Sequence, residues 1–166
     1  MVYKKEKDMY PDVVFWLKKH LEEKFKSKKI LVSDTSSKNL SSWLYENKLD
    51  IFFEYSETFE IQVDITGAII DENKNSGNFS FIECKLNKIS LKDISQLIGY
   101  SKVARPVNSI ILSPEGYTDA VNNLFVKYRR YDILEYQRNR RIIVAKWDEG
   151  RKSLDNRFLI PRGTNY

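Results

Sequence analysis

Cysteine and histidine each occur once in this chain, proline four times and glycine six times. A single cysteine excludes a disulfide scaffold and any cysteine-based zinc site, and it suits a reducing compartment. So little glycine and proline excludes collagen-like and linker-like chains. No apolar run approaches the roughly 20 residues of a membrane span. The opening Met1-Val2-Tyr3-Lys4-Lys5-Glu6 has charge but no apolar stretch behind it, unlike a secretory signal. What is present, 42% apolar and 13% aromatic residues, can build a core, so wholesale disorder is excluded as well. The expectation is one soluble, cytoplasmic, non-membrane domain over residues 1–166.

Charge is unevenly spread. The whole chain carries +5, but residues 127–166 hold 11 basic and 5 acidic residues, whereas residues 1–126 are close to neutral. The excess gathers at Lys127, Arg129, Arg130, Arg138, Arg140 and Arg141, interleaved with Tyr128, Tyr131 and Tyr136. Such a surface suits a phosphate backbone; the plainer alternative is an ordinary solvated helix face.

Hydrophobic spacing sets the element order. Pro11 suits a first helical turn, and Val13, Val14, Trp16, Leu17, Leu21 and Phe25 recur at helical period, predicting a helix over 10–26. Residues 33–42 are turn-formers, and 43–49 suit a short helix. Runs at 51–55, 60–70 and 78–86, rich in Ile, Phe, Val and Thr, predict strands, the last two joined as an antiparallel hairpin across 71–77. Ser90 and Asp93 form a capping-box start for a helix to about 104, which stops before Arg105-Pro106. A short strand at 109–112, placed centrally or beside the 78–86 strand, a long basic helix over 118–137 and a strand at 141–147 complete an α/β fold. Its central mixed sheet is flanked by helices.

The hairpin carries the chemistry. Alternation puts Phe79, Phe81, Glu83 and Lys85 on one face of their strand and Ile82, Cys84 and Leu86 on the other. Asp64 likewise interrupts the apolar run Ile61, Val63, Ile65. Charges inside apolar strands are patterning errors unless they have a function. Two carboxylates about 4 Å apart repel by about 4 kcal/mol at an effective dielectric near 20. A cation between them relieves this. Oxygen donors without His or Cys favour Mg²⁺ or Mn²⁺ over zinc. Lys85 can then orient a water or offset developing negative charge. The alternative is a purely structural ion pair of Lys85 with Asp64 or Glu83.

Val63-Asp64 and Ile82-Glu83-Cys84-Lys85, with eighteen residues between Asp64 and Glu83, resemble the D…(D/E)xK signature of PD-(D/E)XK nucleases, with Val63 where the family carries proline. The resemblance spans about 6–113 and implies a restriction-endonuclease-like α-β-β-β-α-β core, followed by a basic C-terminal extension at about 118–166. It implies metal-dependent hydrolysis of DNA phosphodiesters, with Asp64, Glu83 and the Cys84 main-chain carbonyl facing Mg²⁺ (Mn²⁺ as substitute) and Lys85 as the catalytic lysine. Gln96 matches a helix glutamine near the active site in many members. Glu6, ahead of Met9-Tyr10-Pro11, resembles an extra acidic ligand from the N-terminal helix; Glu22 and Glu23 are alternatives for it. In this picture residues 127–141 bind the phosphate backbone, the product carries a 5′-phosphate, and the working form is a homodimer. A branched or junction substrate is compatible, and no organic cofactor is expected. The competing reading is a non-catalytic nucleic-acid-binding protein on the same fold.

Other residues invite weaker readings. His20 lacks a partner in its pattern and reads as a surface or boundary residue. The Cys84 thiol reads as buried packing rather than a nucleophile. Glu54, Glu57 and Glu60 form a second acidic group that strand-edge solubility also explains. Trp16 and Trp43 read as core, and Trp147 as either core or stacking surface.

Overall fold

Val13, Leu17 and Leu21 are buried at the predicted helical spacing, and Tyr3 and Met9, ahead of the predicted helix, are buried with them. The computed structural model describes residues 2–166; Met1, read above within the charged opening stretch, lies outside them. Helix α1 (Tyr10–Lys24) opens with Pro11 in its first turn and lays its buried face on a sheet. The approach is close at Gly67, where an added Cβ would meet Leu21 Cδ1 at 2.7 Å.

Strands β1 (Lys29–Asp34), β2 (Ile65–Asp71) and β3 (Ser76–Cys84) form an antiparallel meander, with α2 (Leu40–Glu46) between β1 and β2. Helix α3 (Leu91–Ala104) then crosses to β4 (Asn108–Ser113), which lies parallel to β3. Strand β7 (Ile143–Asp148) runs parallel to β4, and β8 (Ser153–Leu154) closes the edge antiparallel to it. The six strands lie in the order β1-β2-β3-β4-β7-β8. Ahead of β7, α4 (Asp119–Asn122) leads to a two-stranded ribbon, β5 (Glu135–Gln137) and β6 (Arg140–Arg141). The architecture is α/β, a mixed sheet flanked by helices, as predicted, and β7 and β8, from the segment after residue 113, belong to the same sheet. Among the described residues no helix is long and apolar enough to cross a membrane.

The alternation read from the hairpin holds. Phe79 and Phe81 join one core with α2, α3 and the Val121–Ile142 region, while Ile82 and Cys84 join the other with α1. The Ser90–Asp93 capping box is formed, and Arg105 ends α3 in the left-handed region before Pro106.

Three expectations are corrected. Residues 51–55 are not a strand: Asp50–Phe52 is a 3-10 turn, and Phe53 turns inward to stack on Phe79 at 4.0 Å. The first strand is Lys29–Asp34 instead, a half-buried edge whose apolar run is only Ile30-Leu31-Val32 between Lys29 and Ser33. The second strand starts at Ile65 rather than 60, because Asp64 occupies a bend whose carbonyl accepts the Thr35 N–H at 2.8 Å. The long basic helix over 118–137 is absent. α4 passes into a π turn (Asn123–Lys127), Arg129 adopts a left-handed φ of 54°, and Tyr131–Leu134 is a 3-10 turn. Burial of Leu134 and Tyr136, whose hydroxyl donates to the Pro106 carbonyl at 2.8 Å, overrides helix propensity there.

Candidate active site

Asp64 and Glu83 reach the same end of the sheet by different routes. Asp64 stands at the bend entering β2, held from below by Thr35, whose hydroxyl donates to the Val63 carbonyl at 2.6 Å. Glu83 is the penultimate residue of β3 and is only 8% exposed. The Cys84 N–H donates to Asp64 Oδ2 at 2.8 Å, which fixes one carboxylate to the strand that carries the other. In a strand, one residue's N–H and C=O point the same way, so the Cys84 carbonyl lies on the Asp64 side of β3. The Cys84 thiol is buried on the opposite face among apolar groups, where burial pushes its pKa well up, so it is packing as predicted.

Lys85 follows β3, and its Nζ donates to Glu83 Oε1 at 3.0 Å. Glu6, on the 3-10 turn Glu6–Asp8 ahead of α1, belongs to the same group. Burial raises its pKa, Lys85 lowers it and Asp64 raises it. Between Glu6 and Asp64 stands a residue the sequence reading missed. Tyr10 donates its hydroxyl to Asp64 Oδ1 at 2.7 Å, and the same hydroxyl lies 3.5 Å from Glu6 Oε1. Its only sequence signal was an aromatic beside Pro11 at the start of a helix.

The electrostatics follow from burial. Desolvation first, then the neighbouring Asp64, pushes the Glu83 pKa up to about 7 despite Lys85. Burial also raises Asp64, opposed by the Cys84 N–H, the Tyr10 hydroxyl and Lys85. Lys85 is depressed by burial, but Glu83, Glu6 and Asp64 outweigh that and raise its pKa. Three carboxylates thus share one ammonium, leaving a surplus of negative charge on hard oxygen donors.

Among the described residues no three His, Cys, Asp or Glu side chains stand as a ready-made ligand group. The cluster presents Asp64 and Glu83, with Glu6 beyond the Tyr10 hydroxyl. Surplus anionic charge and all-oxygen donors fit a hard divalent cation and do not fit zinc.

Other predicted residues are not brought to this group. Gln96 is exposed on α3 and donates to the Tyr100 hydroxyl at 3.0 Å. Glu22 pairs with Lys18 at 3.9 Å near the far end of α1, which leaves Glu6 as the acidic neighbour. His20 stacks on Trp16, and burial lowers its pKa.

The six basic residues are spread over several turns and the short strand β6 rather than on one helix face. Lys127 reaches over the Tyr128 ring, and Arg130 forms a two-bond pair with Asp132 at 2.9 Å. Arg129 sits on a left-handed turn, and Arg138 is an exposed residue of the β5–β6 turn. Arg140 and Arg141 form β6 beside the start of β4, at the opposite end of the sheet from Glu83. Instead, exposed Lys4, Lys5, Lys88 and Lys92 flank the carboxylate group in sequence. Among the described residues none of these four forms an ion pair. No protein-family model, curated protein or solved structure matches the chain.

Proposed function

We propose that the chain is a metal-dependent endonuclease that hydrolyses DNA phosphodiester bonds, as its resemblance to PD-(D/E)XK nucleases implies. The observation that carries this reading is the convergence of Asp64, Glu83, Lys85 and Glu6, from three separate segments, at one end of the sheet. The order α1-β1-β2-β3-α3-β4 agrees with a restriction-endonuclease-like core, with α2 inserted.

Asp64 and Glu83 would hold Mg²⁺ or Mn²⁺, with Glu6 and the Cys84 carbonyl as further oxygen donors. Bound there, the ion would polarise the scissile phosphate and lower the pKa of an attacking water. Lys85, anchored by Glu83, keeps its ammonium charged and available to orient water or to meet charge developing on the phosphate. Tyr10 and the Cys84 N–H fix both oxygens of Asp64, so its orientation is set before substrate arrives. Gln96 would have to leave Tyr100 to reach a phosphate. Lys4, Lys5, Lys88 and Lys92, exposed and near the cluster in sequence, would supply positive charge for the backbone of the substrate. A homodimer, a branched or junction substrate, 5′-phosphate products and a cytoplasmic setting belong to the same reading.

The test incubates branched, duplex and single-stranded DNA with the protein in Mg²⁺, Mn²⁺ or EDTA, alongside Glu83→Ala and Lys85→Ala. Cleavage that needs metal and is lost in both variants is the expected result. Retarded but uncut DNA in every condition would favour a non-catalytic nucleic-acid-binding protein instead.

A further inference from the structure

A second charged feature stands at the other end of the sheet. A cavity of about 340 Å³ lies between the first residues of β4 and β7, the β5–β6 ribbon and the segment 161–165. Arg140, Arg141 and Arg162 line it together with Asn108, Asn139 and Asn165, and among the described residues no Asp or Glu does. Three arginine residues thus line this hollow, and an anion held there is attracted by their charge.

The walls are built rather than incidental. Arg140 Nη1 donates to the carbonyls of Arg105 at 3.1 Å and Pro106 at 3.3 Å and to Gln137 Oε1 at 3.2 Å. That leaves Nε and Nη2 of the same planar group for a ligand, in a fixed orientation. The segment 161–165 is tied down by the paired hydrogen bonds between Val144 and Ile160, both 2.9 Å, and by Thr164, which donates to the Pro161 carbonyl at 2.7 Å. Arg162 pairs with no carboxylate among the described residues, and it also lines the neighbouring hollow with Arg129. Arg141 reaches Glu135 only at 3.9 Å on the exposed side.

We infer that this cavity binds a terminal phosphate group, a phosphate monoester or polyphosphate carrying at least two negative charges. A concave site lined by three arginines, with Arg140 fixed by its own hydrogen bonds, matches a chain end better than a diester, which carries one charge per phosphate. The site is independent of the hydrolase reading. Asn108, which begins β4, is four residues from Leu112, whose carbonyl accepts the Lys85 N–H. At about 3.3 Å per residue the two ends are about 13 Å apart. Two sources share this chemistry: the 5′-phosphate end of a nucleic-acid strand and a free nucleotide.

Isothermal titration with inorganic pyrophosphate, in EDTA and about 0.15 M salt, tests the site without a divalent ion at the carboxylates. Saturable binding is expected in the wild type and in Glu83→Gln, at least tenfold weaker in Arg141→Gln/Arg162→Gln. Both replaced side chains are exposed, so the fold is retained. No binding by the wild type, or equal binding by the double variant, overturns the inference. Displacement of pyrophosphate by a 5′-phosphorylated oligonucleotide or by ATP identifies the source and supports the site. Equal displacement by the 5′-hydroxyl oligonucleotide overturns the selectivity for a terminal phosphate.

Discussion

Tyr10 and Asp64, 54 positions apart in the chain, meet through a 2.7 Å hydrogen bond that ties the start of α1 to the entry of β2. Tyr10 is buried, and its hydroxyl stands between the Glu6 turn and the carboxylate pair. Replacing it by phenylalanine leaves Asp64 Oδ1 without its donor in a desolvated position. Tyr10→Phe is expected to destabilise the protein by about 1–3 kcal/mol, read by urea unfolding. It is also expected to slow metal-dependent cleavage more than it weakens DNA binding. Unchanged stability would mean that the hydroxyl is replaced by water at no cost.

Glu83 gives a pH signature to the metal-free protein. Its pKa rises from 4.5 to about 7 on folding, chiefly through burial, so between these values the folded state holds the proton that the unfolded state releases. Stability therefore falls as pH rises through about 4.5 to 7, by up to about 3 kcal/mol from this group. Glu6 and Asp64, also raised, act in the same sense, and His20, lowered by burial, acts in the opposite one. The readout is the difference between wild type and Glu83→Gln in EDTA: the variant should gain on the wild type as pH rises. Parallel curves would remove Glu83 as the source.

Divalent ions should act on the same group with the opposite sign. A cation that binds only the folded cluster stabilises by mass action, so Mg²⁺ is expected to raise the melting temperature at pH 7.5. Asp64→Asn and Glu83→Gln should each lose most of that rise. A rise of equal size in both variants would assign the ion to some other part of the surface.

Lys85 separates a structural ion pair from a working ammonium. Lys85→Met keeps the aliphatic stem and removes the charge shared by Glu83, Glu6 and Asp64. Cleavage is expected to fall by at least about 100-fold, the scale of losing one charge-stabilising donor. Retardation of DNA in a gel should remain within a few-fold of wild type. Cleavage within a few-fold of wild type would reduce the Lys85–Glu83 contact to a structural role.

Gly77 reports on the aromatic stack beneath β3. A Cβ there would stand 2.4 Å from the Phe53 ring, which is itself stacked on Phe79 at 4.0 Å. Gly77→Ala is expected to destabilise by about 1–3 kcal/mol through overpacking, measured as a lower denaturation midpoint with an unchanged slope.

What the chain determines by itself is local and periodic. Helical spacing from Val13 to Leu21, the Ser90–Asp93 cap and the alternation of Phe79, Phe81 and Glu83 each involve neighbours within a few residues. All three are seen in the structure. The oddity of Asp64, Glu83 and Lys85 inside apolar runs was legible for the same reason. The tertiary structure alone decided the rest. Tyr10 reaches Asp64 only because α1 packs across β1 and β2. The basic stretch 127–141 gave up its helical pattern because burying Leu134 and Tyr136 against the other core outweighs intrinsic propensity. The strand at 29–34 was obscured because edge pairing needs one partner and tolerates lysines. Which end of the sheet carries the carboxylates and which carries the arginines depends on parallel pairing of β3, β4 and β7, a long-range contact with no local signature.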